Sequence, residues 1–294
     1  MVGRDMMASG MVAGRRCVAV LLALLGAGSA ALPAAAEEAT ALKLCLLAHN
    51  APYSTRTPQA GFDLDTGAAV AARLARPLQV IWTDNNPHID EIDESDFPVH
   101  KLSKGQCDVI LSMPGPASDT LRASPKLTLG ENYYGAAFEL LSCDAAAPNR
   151  LRALRGKRVA IQSQTVAHFA ALSVKATPNN YFSLDAALDG LVKRETDAAL
   201  LWGPTSGWRL LNHKLDKACG FVAGYEPPAA VRWNLSFATR KDDTALRQQI
   251  DGALAALVAS GELKTLAARY GLPLHAPFAE TYSLKALNDL QQGR

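Results

Sequence analysis

The stretch LKLCLLAHNAPYSTRTPQAGFDLDTGAAVAARLARPLQVIWTD, residues 42–84, decides the fold. Residues 42–49 are a short apolar run, read as a buried strand that ends in the loop NAPYSTRTPQAG. A helix follows. Asp63 or Asp65 caps it, Val70, Ala71 and Leu74 share one face, and Pro77 stops it. Residues 78–84 (LQVIWTD) then return as a second strand. Strand, helix and strand in succession argue for α/β layers.

The same alternation continues along the chain. A short helix near 97–104 leads to the strand CDVILSM (107–113), and AAFELLSCD (136–144) is a further strand. LRALRGKRVAIQSQT gives a short helix, a glycine turn and a strand that runs into a helix at 165–175. SLDAALDGLVKRE is an amphipathic helix with Leu184, Leu188 and Leu191 or Val192 on one side. The strand AALLW (198–202) breaks at Gly203-Pro204, and further strand patterns span Cys219–Tyr225 and RWNLSFATR. Leu246, Ile250, Leu254 and Leu257 recur at helical spacing, and Gly271 stops the helix after that. Two successive α/β units with a helical tail are expected, and a cleft between such units is a common ligand site.

The chain has 294 residues, 49% of them hydrophobic and 20% charged, an ordinary globular composition. Residues 1–36 read as a secretory signal peptide: Arg15-Arg16, an apolar run from Cys17 to about Leu32, and a small-residue cleavage site at Ala34-Ala35-Ala36. Nothing later is a candidate membrane span. Cleavage removes three arginines and Asp5, which takes the formal charge of +2 to zero. No basic field remains to attract nucleic acid or an anionic membrane. A periplasmic location and no nucleic-acid partner follow as expectations. Four cysteines stay after cleavage, an even number that favours disulfides in an exported protein. Of the three possible pairings, Cys45–Cys107 and Cys143–Cys219 are expected, since each pair falls within one region of the chain. A zinc site competes with this, without support from any CxxC or HxxxH spacing.

Four segments together resemble the extracellular solute-binding proteins of family 3. GFDLDTGAAVAARLARPL (61–78) is similar to that family's GFD stretch, and LSKGQCDVILSM (102–113) to its L-x-x-G-x-x-D motif. LRGKRVAIQSQT (154–165) and ALVASGELKTLAARYGL (256–272) are similar to its later strand-turn and closing motifs. The resemblance implies a type II periplasmic binding protein fold: two α/β lobes joined by a hinge, closing on a ligand in the interlobe cleft. It places the first lobe at 37–138 with the helices 241–294, and the second at 139–240. The chain crosses between lobes near Ala137–Leu141 and Thr239–Asp243. A finer resemblance is to the binding-protein-like component encoded with bacterial methanol dehydrogenases, the MxaJ/XoxJ type, through Cys45, Gly105-Gln106-Cys107-Asp108-Val109 and Trp202-Gly203-Pro204. Amino-acid binders of the family usually place an Asp where Trp202 stands, which argues against a standard amino-acid ligand. The family's T-x-x-R is approximated by Asp119-Thr120-Leu121-Arg122, and its S-x-P-Y-Y by Glu131-Asn132-Tyr133-Tyr134 without the proline.

The expected ligand-binding residues are Tyr53, Ser112, Met113, Arg122, Gln164, Thr165 and Trp202. Arg122 suits a bidentate pair with a ligand carboxylate; its removal should abolish binding and leave the melting temperature of the empty protein nearly unchanged. Thr165 caps a helix whose N-terminus suits an anion. Ser112 and Met113 end a strand. Tyr53 and Trp202 offer aromatic surface. Trp202 reads two ways: the wall of a pocket for an apolar or aromatic ligand, or a core side chain that fills the space.

The segment DNNPHIDEIDESD (84–96) carries six carboxylates but lacks the glycine and the final glutamate of an EF-hand loop, so a solvated acidic face is expected. No G-x-S-x-G, Walker loop or H-E-x-x-H occurs, and His49, His88, His100, His168, His213 and His275 are scattered. Glu131, Glu139 and Glu226 give no positive sign of acid chemistry. The sequence thus points to a binding protein and not an enzyme, with no cofactor and no metal. Its partner is a small organic solute together with an ABC permease. The alternative is an accessory role beside a periplasmic quinoprotein dehydrogenase.

Overall fold

Strands β1 (Leu42–Leu47) and β4 (Leu78–Thr83) pair in parallel, joined through helix α1 (Phe62–Arg73), in a computed structural model that describes residues 40–85, 97–115, 125–212 and 218–292. Leu42, Leu44 and Leu46 are buried on β1, and Phe62, Val70 and Ala71 pack against them from α1. The helix starts earlier than the carboxylates suggest. Gly61 is its N-cap residue, and Asp63 and Asp65 lie in the first turn, where they meet the positive end of the helix dipole. Neither carboxylate caps. Asp63 accepts from Ser112, and Asp65 pairs with Arg269 at 2.5 Å and accepts from the Tyr270 hydroxyl at 2.9 Å.

Two short antiparallel pieces, β2 (His49–Asn50) and β3 (Ser54–Thr55), shape the loop before α1. Helix α2 (Pro98–Ser103) precedes β5 (Ile110–Pro114), which starts three residues later than the apolar run suggests. Then come β6 (Leu127–Leu129) and β7 (Tyr134–Ser142), whose nine residues are all buried. The strand β8 (Arg158–Gln162), helix α3 (Val166–Ser173), strand β9 (Thr177–Tyr181) and helix α4 (Leu184–Val192) follow. Strand β10 (Ala198–Trp202) runs straight into helix α5 (Gly203–Asn212). Gly203-Pro204 therefore does not make a turn; it opens a helix. Proline is tolerated there because the first-turn N–H groups have no intrahelical partner to lose. After β11 (Gly220–Phe221) and β12 (Arg232–Arg240), helices α6 (Thr244–Ala259), α7 (Glu262–Arg269) and α8 (Leu284–Gln292) complete the chain. Gly271, at φ 71, follows α7 as the spacing expects.

The main sheet runs β5-β12-β7-β10-β8-β9, with β6 on β12 and β11 on β7. Strand β7 changes partner along its length. Tyr134–Ala137 pair antiparallel with β12, and Phe138–Leu141 pair with β10. The two halves of β7 serve different cores. One gathers Leu44, Phe62, Tyr134, Phe237, Leu254 and Leu263; the other gathers Phe138, Leu140, Ile161, Ala170, Leu200 and Leu290. On the opposite face of the same sheet, Leu188, Leu191 and Leu201 form a third. Trp202 and Trp233 pack against both of the first two cores. Helix α8 docks on α3 and supplies Leu290 to the second core.

Both expected disulfides form, Cys45–Cys107 and Cys143–Cys219. Among the described residues, no helix is long and apolar enough to cross a membrane. The leader 1–36, Arg122 and all of the acidic stretch beyond Asn85 lie outside the described residues.

Candidate functional site

A cavity of about 970 Å³ opens where the two cores meet, on the seam at which β7 changes partner. Its walls come from sequence-distant elements. β1 contributes Cys45, Leu46 and Leu47; the loop and helix after it give Tyr53 and Asp63; α2 gives Val99 and His100. β5 supplies Ser112 and Met113, and the strands of the seam supply Phe138, Trp202, Trp233 and Leu235. A volume of this size is at the upper end for small-molecule sites, and a mainly apolar wall with a few polar groups is their usual composition.

Trp202 stands in the wall of this cavity and does not fill it. Its indole N–H donates to the Tyr53 hydroxyl at 3.2 Å, a bond between residues 149 positions apart. Its ring meets Phe138 at 5.5 Å and Trp233 at 5.8 Å between centroids, and Trp233 stacks on Tyr282 at 5.2 Å. Trp202 and Phe138 also line a second, more polar groove, which takes in Gln162, Thr165 and Thr205. Trp202 therefore borders both an apolar chamber and a polar one.

A polar cluster lies in the wall of the apolar chamber. The Ser112 hydroxyl donates to an Asp63 carboxylate oxygen at 2.5 Å and accepts from the Tyr134 hydroxyl at 2.8 Å, while the Ser112 N–H donates to the Tyr133 hydroxyl at 3.0 Å. Ser112 holds φ 52, a conformation uncommon for a residue with a side chain. Residues so held cluster at ligand sites, where their surroundings fix them. Burial pushes the Asp63 carboxyl up to about 7, against the opposing pull of the Ser112 hydrogen bond. Burial also raises Tyr53, Tyr133 and Tyr134.

The raised Asp63 carries a stability consequence. The folded state holds its proton over the range from the ordinary carboxylate value up to about pH 7, whereas the unfolded chain has already lost it. Stability contributed by this group is therefore complete at low pH and declines as pH rises through that window. Asp63→Asn keeps an acceptor for Ser112 without the charge. It is expected to match or exceed the parent by about 1–3 kcal/mol at pH 8 and to lose that margin by pH 5. Urea melts at the two pH values test this; a variant less stable at pH 8 than at pH 5, relative to the parent, contradicts it.

The sequence-derived candidates divide. Tyr53, Ser112, Met113 and Trp202 line the apolar chamber. Thr165 lines the polar groove instead, and its hydroxyl donates to the Gln162 carbonyl at 2.8 Å, so it gives α3 no side-chain cap. Gln164 sits at φ 62 in the turn after β8 and lines neither chamber. Sequence reading took Asp63 for a cap and passed over Phe138, His100 and Trp233. The GFD stretch was the only signal for Asp63. Glu139 hydrogen-bonds His275 at 2.7 Å, away from the cavity. Among the described residues, no group of three His, Cys, Asp or Glu is placed to hold a metal ion.

The L-cystine solute receptor of Neisseria gonorrhoeae in its unliganded open form overlays with a TM-score of 0.66 at 17% identity, covering 80% of this chain and 94% of that one. The second substrate binding domain of an amino acid ABC transporter from Streptococcus pneumoniae gives 0.62 at 17%, covering 78% and 99%. The chain has the type II periplasmic binding protein fold. MxaJ from Methlophaga aminisulfidivorans shares this fold with it, at a TM-score of 0.59 and 19% identity over 79% and 99% of the two chains. The first two of these neighbours are a solute receptor and a substrate binding domain. No family model matches the sequence, and no curated protein does either. Within this fold, the apolar chamber lies where β7 passes from β12 to β10.

Proposed function

We propose that the protein is exported to the periplasm, captures a small organic solute in the apolar chamber by closure about β7 and β12, and presents it to an ABC permease. One observation carries this: a built, largely apolar cavity at the junction of two cores, with Trp202 and Tyr53 hydrogen-bonded to each other in its wall. A neutral or cationic ligand with an apolar body fits better than a standard amino acid, because an indole stands where a carboxylate is usual in the family. In this reading, the first lobe holds the residues before Phe138 together with Leu235–Leu272. The second holds Phe138–Val231 with α8 docked on it, and the second crossing falls at Arg232–Leu235, earlier in β12 than the motif spacing suggests.

Native mass spectrometry of the protein purified from its own periplasm tests the reading. A ligand-sized mass increment that disappears on denaturation is the expected result, and Trp202→Ala should weaken that ligand by at least about tenfold. An empty chain that retains no solute defeats it. The second reading, an accessory of a periplasmic quinoprotein dehydrogenase, draws on the Cys45–Cys107 bridge and the Trp202-Gly203-Pro204 sequence. It is favoured if the empty chain co-purifies with such an enzyme.

A further inference from the structure

The Asp63 carboxylate is out of keeping with the rest of the chamber. It is 6% exposed, and among the described residues its one side-chain partner is the Ser112 hydroxyl, with no arginine or lysine beside it. A carboxylate taken out of water without a counter-charge is costly and either neutralises or finds a cation. The rings around it favour the same sign. Tyr53 links Asp63 to the cluster of Phe138, Trp202 and Trp233, whose centroids lie 5.5–5.9 Å apart. Aromatic faces present negative charge to a guest, so they attract cations and repel anions.

We propose that the chamber is a site for an organic monocation, an alkyl- or arylammonium whose charge lies against the Asp63 carboxylate and whose hydrocarbon body lies among Tyr53, Phe138, Trp202 and Trp233. The assignment rests on the solute-capture reading above and names its substrate class. It differs from amino-acid recognition in needing no anchor for a carboxylate. Binding of the cation favours the ionised form of Asp63, so affinity rises as pH rises towards and beyond 7. The groups that face Asp63 leave this sign intact. Tyr53, Tyr133 and Tyr134 stay protonated, and Asp65 and Arg73 on the same helix are engaged by Arg269 and Glu262. His100 is the other titratable group lining the chamber.

The test is calorimetric titration of the protein with 2-phenylethylammonium and benzyltrimethylammonium, against 2-phenylethanol and 3-phenylpropanoate. At pH 8 the ammonium probes are expected to bind at least about tenfold tighter than the alcohol, and the carboxylate to bind weakest. Asp63→Asn should erase the preference, so that the ammonium probes and the alcohol bind with similar affinity. In the parent and in His100→Gln, ammonium affinity should fall by up to about tenfold per pH unit below about 7, with a proton released on binding. Equal affinity for alcohol and ammonium, a preference that survives in Asp63→Asn, or a flat pH profile overturns the cation assignment and leaves solute capture standing. If no probe binds, the charge of the species found by native mass spectrometry decides: a cation upholds the assignment, a neutral or anionic solute overturns it, and an empty chain overturns both readings.

Discussion

Gly61→Ala is expected to destabilise the protein by more than about 3 kcal/mol and to abolish ligand binding even where the chain still folds. Gly61 holds φ 142, a backbone state that side chains rarely adopt, and it lies against the chain that leads into the cavity. A Cβ there overlaps the Tyr53 carbonyl oxygen and comes within 2.6 Å of the Ser54 Cα. These are backbone atoms, which have no rotamer to escape into. The same turn fixes the site. The Gly61 N–H donates to the Tyr270 hydroxyl at 3.0 Å, and the Asp63 N–H donates to the Tyr53 carbonyl at 2.9 Å. Any relief of the overlap moves Tyr53 away from Trp202 or Asp63 away from Ser112. Denaturant melts of the purified variant check the first part and titration the second. An unfolding free energy within about 0.5 kcal/mol of the parent's would show that the loop gives way more easily than its packing implies.

Replacing Cys45 and Cys107 together with alanine is expected to cost about 4 kcal/mol, the chain-entropy value for a loop closed over 62 residues. The bridge ties β1 to the entry of β5, and both cysteines are buried with Leu102, Ile110, Leu127 and Ala238. Cys45 also lines the chamber, so loosening β1 against β5 should weaken ligand binding as well as the fold. The Cys143–Cys219 pair closes a loop of similar length, over 76 residues, and its loss should cost a similar amount. It lies behind Leu141 and Leu191, away from the chamber, and its loss should leave affinity close to that of the parent. A double alanine variant at 45 and 107 with stability and affinity both near the parent's would mean that the strands hold their register without the bond.

Much of this architecture was legible in local pattern. The helices of the closing segment announce themselves through Leu246, Ile250, Leu254 and Leu257, because one buried face at a period of 3.6 leaves a trace in any sequence. Buried strands such as β1 and β10 do the same through short apolar runs. Strand β9, Thr177–Tyr181, left no such trace. It is an edge strand of polar residues, held by a parallel backbone ladder to β8, and a ladder needs no particular side chain. Gly203-Pro204 misled for a related reason: both residues break regular structure in the middle of an element and are accepted at its start.

The sequence by itself determined the α/β alternation, the even set of cysteines that favours disulfides, and the placing of Tyr53, Ser112, Met113 and Trp202 at the ends of strands and loops. Each of these depends on near neighbours or on the even count of cysteines. Only the tertiary structure decided that Trp202 walls a chamber, that Thr165 lines a separate groove, and that Asp63 is a buried carboxylate, bonded to Ser112, in one cavity with rings from β7, β10 and β12. Those facts depend on which residues meet across 49, 149 or more positions of chain. That information resides in the packing of the two cores and not in any local run of residues.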